Sequence, residues 1–468
     1  MVASPSRSFI PARPRNFWLH TIFAVTLLAA AAPHALAQQY AVTDLGTLGQ
    51  DASNGVAINA NGEAAGLATT HGISEETPDT VQAFLYAGGA ATPIPLKISP
   101  QVQGGTSTYD PYILTVNPNV INASGQVVGT TSNGHAGIYS NGTVKDLGAL
   151  SGGVSQGLAI NDRGEATGNS STVPYTGQSY SPHPHAFLYD NGSMADLGTL
   201  GGNGSVGVAI NALGQVAGTS DTGTRSAVSG LLNWHAFLDS SGKMVDLGTL
   251  GGDDSQANAL NARGQVTGVA DVSNTTNALG QEVVVFHAFL YSNGKMIDLG
   301  TLGGSASEGD AVNAKGQVIG YSKTSQDLSD DGFFYSNGKI VDLGTFRPSA
   351  INDIGQIVGD SSGEAALWNN GKVVNLNSEI GSDASIYTLS SAVAINDAGQ
   401  ILADGTNYTT GHSVALLLTP VPIPGASWLM LSSLCGLALL IVPRRKTPGI
   451  RVIGECPAAA PWRALATA

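Results

Sequence analysis

Cysteine is almost missing from this chain. Only Cys435 and Cys456 occur among 468 residues, both near the C-terminal end. That excludes a disulfide-stapled scaffold and leaves the long stretch before them without a thiol to oxidise. Charge is sparse, at 12% DEKR, and cations are sparser still, with 20 Lys/Arg against 34 Asp/Glu. An acidic chain repels phosphate, which argues against nucleic-acid binding. Aromatics reach only 6%. Hydrophobic residues nevertheless make up 42%, enough for a core and against wholesale disorder. Glycine is what the chain has in plenty, 61 residues without a collagen-like period of three. Abundant glycine with few charges and few helix formers predicts an all-β protein with many tight turns.

The two ends read as addresses. Arg7, Arg13 and Arg15 precede an apolar run over residues 17–32, and Ala35-Leu36-Ala37 is a small-x-small cleavage site. Residues 1–37 are therefore expected to be a signal peptide cut between Ala37 and Gln38. No twin-Arg pair precedes the run, so the Sec machinery is the expected partner. Near the other end, Val421-Pro422-Ile423-Pro424 leads into an uncharged run over residues 425–442, followed by Arg444-Arg445-Lys446. That run is long enough for one transmembrane helix with its basic cluster in the cytoplasm.

This tail, Pro-x-Pro then span then basic cluster over residues 421–446, resembles the PEP-CTERM sorting signal of Gram-negative bacteria. The resemblance implies recognition by an exosortase-type membrane enzyme and a membrane span held until processing. Ile423 stands where the type motif has Glu, and a tail, 447–468, follows the basic cluster.

The body, residues 38–420, is repetitive. Asn-x-x-Gly followed by Gln or Glu begins at Asn59, Asn122, Asn161, Asn211, Asn261, Asn313, Asn352 and Asn396. An apolar strand runs into each copy and another runs out, which reads as a hairpin with Gly in the left-handed position. His-Ala-Phe-Leu follows at His185, His235 and His287, with altered copies at His135, Gln82, Gly332, Ala365 and Val414. Asp-Leu-Gly closes the unit at Asp44, Asp146, Asp196, Asp246, Asp298 and Asp342, with weakened copies at Asn375 and over residues 93–98.

Four short strands per unit predict a β-propeller of eight four-stranded blades, with an open solenoid or sandwich as the alternative. The body opens on an Asp-Leu-Gly strand without partners and ends without one. The N-terminal strand is therefore expected to complete the last blade and close the ring. Asp-Leu-Gly would line the rim. Small residues such as Ser255, Ala257 and Ala259 would suit a crowded axis, and Phe187, Phe237 and Phe289 would fill contacts between blades. The units resemble the bacterial extracellular HAF repeat family, named for His-Ala-Phe. Membership implies an exported repeat protein and supplies no mechanism.

Little in the repeat points to chemistry. His135, His185, His235 and His287 fall on separate units, too far apart for one metal, and read as strand caps. The repeated Asp residues read as strand-end hydrogen bonders. Asp253-Asp254 and Asp330-Asp331-Gly332 lack the spacing of a calcium loop. No phosphate-binding loop or Gly-x-Ser-x-Gly elbow occurs. Trp234 and Trp368 are the only Trp of the body, which disfavours a quinone propeller. No catalytic residue, metal or cofactor is expected.

The segments that vary between copies are those joining second to third strands, residues 69–81, 170–184, 220–234, 269–286 and 321–331. They should share one face, where Tyr175, Tyr180, His183 and Trp234 suit sugars or peptides. An insert at 98–118 adds to the first unit. The body carries a net charge of −21 between basic ends. These features favour a non-enzymatic binding or scaffold module of the cell envelope or extracellular space. Exopolysaccharide or surface proteins are the partners the sorting signal implies. The alternative is a propeller-fold polysaccharide lyase or glycosidase, which needs carboxylates or a Tyr/His/Arg group clustered at one channel mouth.

Overall fold

Each repeat folds into a short antiparallel sheet. The computed structural model describes residues 39–70, 80–97, 120–174, 183–276, 282–325 and 330–421. They belong to one compact unit, Met1–Val421; a second, Pro422–Ala468, lies outside the described residues, as does the expected signal peptide. The described structure is all-β apart from two short 3-10 turns, Leu376–Ser378 and Gly381–Ser385. None of its helices is long and apolar enough to cross a membrane, and the expected span at 425–442 lies outside it.

Ser205–Ile210, Val216–Arg225, Leu232–Ser240 and Lys243–Asp246 pair in that order as one four-stranded sheet. The same order recurs from Ser155–Ile160 to Ser193–Gly198 and from Phe346–Ile351 to Lys372–Asn375. The second unit is leaner. Val127–Thr130, Ala136–Ser140 and Thr143–Gly148 form three strands, and a lone bridge joins Ile121 to Val127 in place of the first. In the first unit the fourth strand is Ala90–Pro93, with Pro93 opposite Phe84 where other units place Asp and Ile94 buried after it as Leu247 is, so the weakened copy at 93–98 begins where the repeat puts it.

The last unit has three strands of its own, Tyr387–Ile395, Ile401–Asn407 and Ser413–Pro420. Tyr40–Asp44 pairs with the third of these, from Tyr40 opposite Pro420 to Asp44 opposite Leu416. This is the register of the other units, where Asp196 faces Phe187, Asp246 faces Phe237 and Asp298 faces Phe289.

The asparagines do more than turn the chain. The Asn211 Oδ1 accepts the Leu213 and Gln215 N–H groups, and its Nδ2 donates to the Gln215 Oε1. The other Nδ2 hydrogen reaches the Asn261 carbonyl. Asn59, Asn122, Asn161, Asn261, Asn313 and Asn352 donate to the next asparagine in the same way, and Asn396 donates to Asn59. Eight buried bonds of 2.8–3.1 Å thus run from turn to turn and return to the start. The Gln or Glu four residues on is explained too, since it holds the amide in place.

Phe187, Phe237 and Phe289 are fully buried against residues of the preceding sheet, as the pattern predicts. Serine supplies a second tie. Ser255 accepts the Ala236 N–H at 2.9 Å and donates to the Gly248 carbonyl at 2.6 Å, both in the preceding unit. Ser155, Ser205 and Ser307 repeat this, so the small residue serves sheet-to-sheet bonding, a more specific cause than crowding. Nor are all glycines turn residues. A Cβ at Gly218, inside a strand, would lie 1.9 Å from the Val206 carbonyl and 2.8 Å from the Phe237 ring. Only glycine fits where the bulge brings the strands together.

Candidate functional site

The repeated histidines have definite partners. His135, His185, His235 and His287 each bring Nδ1 to 2.9–3.0 Å from the carboxylate of Asp146, Asp196, Asp246 and Asp298. Each Asp also accepts the N–H of the Gly two residues on, at 2.7 Å. The His and the Asp are always eleven residues apart, and that constant spacing was the overlooked sequence signal. The weakened copy keeps the contact with other chemistry, because Asn375 donates to Glu364 across the same eleven residues. Burial opposes charge on His235, but the Asp246 carboxylate outweighs it and raises the pKa; burial opposes charge on Asp246 too, and the bonds from His235 and Gly248 together outweigh it and lower that pKa. Among the described residues no three His, Cys, Asp or Glu side chains could hold a metal together.

The asparagine bonds gather the first-to-second turns at one end of the sheets. The variable second-to-third connections therefore lie at the opposite end. Of the expected binding residues, Tyr175 and Tyr180 lie outside the described residues. His183 is exposed there, and Trp234 is half-buried with its backbone N–H donating to the Asp254 carboxylate at 2.7 Å. Burial, with Asp271 and Asp253 nearby, pushes Asp254 up to about 6. Asp221, almost fully buried, accepts the N–H groups of Asn203 and Gly223 and so joins connection to inter-unit loop. Asp330 is paired with Lys323 at 2.8 Å.

A polar cluster lies outside the repeated motifs. Glu308 and Asp310 sit on the first strand Gly303–Val312, where other copies carry Val206 and Val208 or Gln256 and Asn258. The Asn258 Nδ2 donates to the Glu308 Oε1 at 2.9 Å, and the Tyr321 hydroxyl donates to the Pro348 carbonyl at 3.0 Å. The Asp310 Oδ2 is buried without a hydrogen-bond partner. Burial raises the pKa of both carboxyls, and the Glu308 charge raises Asp310 further. Burial also raises the Tyr321 pKa, with Asp310 and Asp360 adding to it and Arg347 opposing. Comparing copies for departures rather than for repeats would have found this group. Elsewhere, a groove of about 440 Å³ is lined by Gln126, Arg163 and Asp190, and Lys145 lies 5.1 Å over the Tyr189 ring beside it.

No family model and no curated protein matches the chain. Among solved structures it is similar to the β-propeller domain of the Trilobed protease from Pyrococcus furiosus, at 8% identity and a TM-score of 0.41, covering 79% of this chain and 95% of that one. It is also similar to Trypanosoma rangeli sialidase, at 9% identity and a TM-score of 0.27, and spans 60% of that chain with 86% of its own. Scores of this size leave the architecture to rest on the chain's own strand pairing.

Proposed function

We propose that this chain is an exported binding or scaffold module built as a closed β-propeller of eight four-stranded blades. The carrying observation is the contrast between its two ends. The asparagine end is repeated almost unchanged, whereas the connections at the other end differ from copy to copy in length and side chains. A scaffold held constant beneath variable loops is the usual arrangement of a recognition surface. Closure draws support from the returning asparagine bonds and from the pairing of Tyr40–Asp44 with Ser413–Pro420. The address draws on the signal-peptide pattern and the PEP-CTERM-like tail, and the body fits the HAF repeat family. The partners proposed are exopolysaccharide or envelope surface proteins.

Retention of the chain on panels of immobilised glycans and surface proteins tests this reading, together with cell fractionation. Selective retention and a non-cytoplasmic location are expected. Intact cytoplasmic protein that holds no partner would overturn it.

The polar cluster favours a second reading as a lyase or glycosidase, because carboxyls, Tyr321 and Arg347 meet there. A broad polysaccharide assay decides it. Depolymerisation abolished by Glu308→Gln supports this reading, and no turnover removes it.

A further inference from the structure

Two successive hairpins stand out at the variable end. Val216–Arg225 with Leu232–Ser240 and Val266–Thr276 with Glu282–Ser292 are the longest second-to-third pairs among the described residues, and they belong to neighbouring sheets. Their outer parts expose apolar side chains that the fold does not need: Leu231 at 67%, Val283 at 42% and Val228 at 37%. Exposed apolar groups on two neighbouring hairpins are available for contact with a partner.

The floor between the hairpins is acidic. Trp234, at the base of the first, bonds to Asp254 in the loop that leads into the second sheet. Asp253 adjoins it and Asp271 lies close enough to disfavour its charge. His235 also faces this floor, although its Nδ1 is held by Asp246, and Arg225 folds back onto its own hairpin, where its Nη1 meets the Gly230 carbonyl at 2.9 Å. Crowded carboxylates at the foot of a hairpin are a favourable seat for an ammonium or guanidinium group.

We infer that these two hairpins form a docking surface for a basic, amphipathic protein segment, its apolar side chains meeting Leu231, Val228 and Val283 and its cations meeting Asp253 and Asp254. This rests on the proposed role as a binding module and names the partner class. Charge complementarity selects the occupant, since a body of −21 repels anionic glycans and acidic proteins while attracting a cationic segment. The exposed Leu231, Val228 and Val283 then distinguish an amphipathic segment from a merely basic one.

Fluorescence anisotropy of the full-length chain with three labelled 18-residue peptides tests it: one of Lys and Leu, one of Lys and Ser, and one of Glu and Leu. The Lys/Leu peptide is expected to bind, and at least tenfold more tightly than either other. Asp253→Asn with Asp254→Asn, and separately Leu231→Ser with Val283→Ser, should each weaken binding at least tenfold. Leu213→Ser, at the opposite end and 66% exposed, should leave it unchanged. Thermal melts confirm that each variant is folded. Equal binding of the Lys/Ser or Glu/Leu peptide, unchanged binding by the hairpin variants, or self-association through Leu231 and Val283 in sedimentation would each overturn the inference. Glycan or surface-protein retention without peptide binding defeats this inference alone. No retention of any probe defeats the broader reading as well.

Discussion

Replacing Asn211 with Ala isolates the bond that joins neighbouring units. The side chain makes four hydrogen bonds at 2.8–3.1 Å, accepting from Leu213 and Gln215 and donating to Gln215 and Asn261. Leu213 is 66% exposed, so water replaces its lost acceptor. The Asn261 carbonyl keeps one partner, the Gly264 N–H. Three bonds are therefore lost without ready replacement. At about 1 kcal/mol net for each, the variant should lose about 3 kcal/mol. That is a large part of the roughly 5–15 kcal/mol that holds a typical domain. Urea unfolding, with a slope equal to that of the parent, measures it. A loss below about 0.5 kcal/mol would show that the circuit ornaments the turns without holding the units together.

Acid–base behaviour follows from the buried carboxyls. Burial pushes Asp254 and Asp404 up to about 6, above the roughly 3.9 of an unfolded Asp. A raised carboxyl stabilises the fold most below its unfolded pKa, and that contribution is lost as pH rises through about 6. Stability curves from pH 4 to 7 should therefore flatten in Asp254→Asn and Asp404→Asn; unchanged slopes would refute the assignment. His235 acts in the same sense, its raised pKa giving stability that fades as pH climbs through it. Exchanging His185 and Asp196 for the Glu and Asn seen at 364 and 375 should keep thermal stability within about 0.5 kcal/mol, because exposed pairs contribute little and the contact survives. Ser205→Ala removes a tie to both Ala186 and Gly198 and should cost about 1–3 kcal/mol in the same urea assay.

The repeat made the strands legible, because Asn-x-x-Gly and Asp-Leu-Gly mark turn and strand end in every copy. The odd strand at residues 40–44 found its place by vacancy, since only the unit ending at Pro420 lacked a fourth strand. What escaped were relations between motifs. Asn211 looks like a local turn residue, because three of its bonds are local and only the fourth reaches a residue fifty positions away. His185 and Asp196 were read separately as caps, although each supplies the other's partner. The need for glycine at Gly218 is invisible in the sequence because the bulge that requires it is a property of two strands together. Glu308 and Asp310 depart from the repeat, and a search for what recurs passes over them. The variable connections obey no repeat, so their arrangement around Trp234 and Asp254 emerged only from the fold.

Hydrogen exchange read by mass spectrometry on a peptide spanning Tyr40–Asp44 tests the closed ring most directly. The account predicts that this strand exchanges as slowly as its counterpart Lys243–Asp246, at least about a thousandfold slower than a free peptide. Exchange at the free-peptide rate, with Lys243–Asp246 still protected, would contradict it.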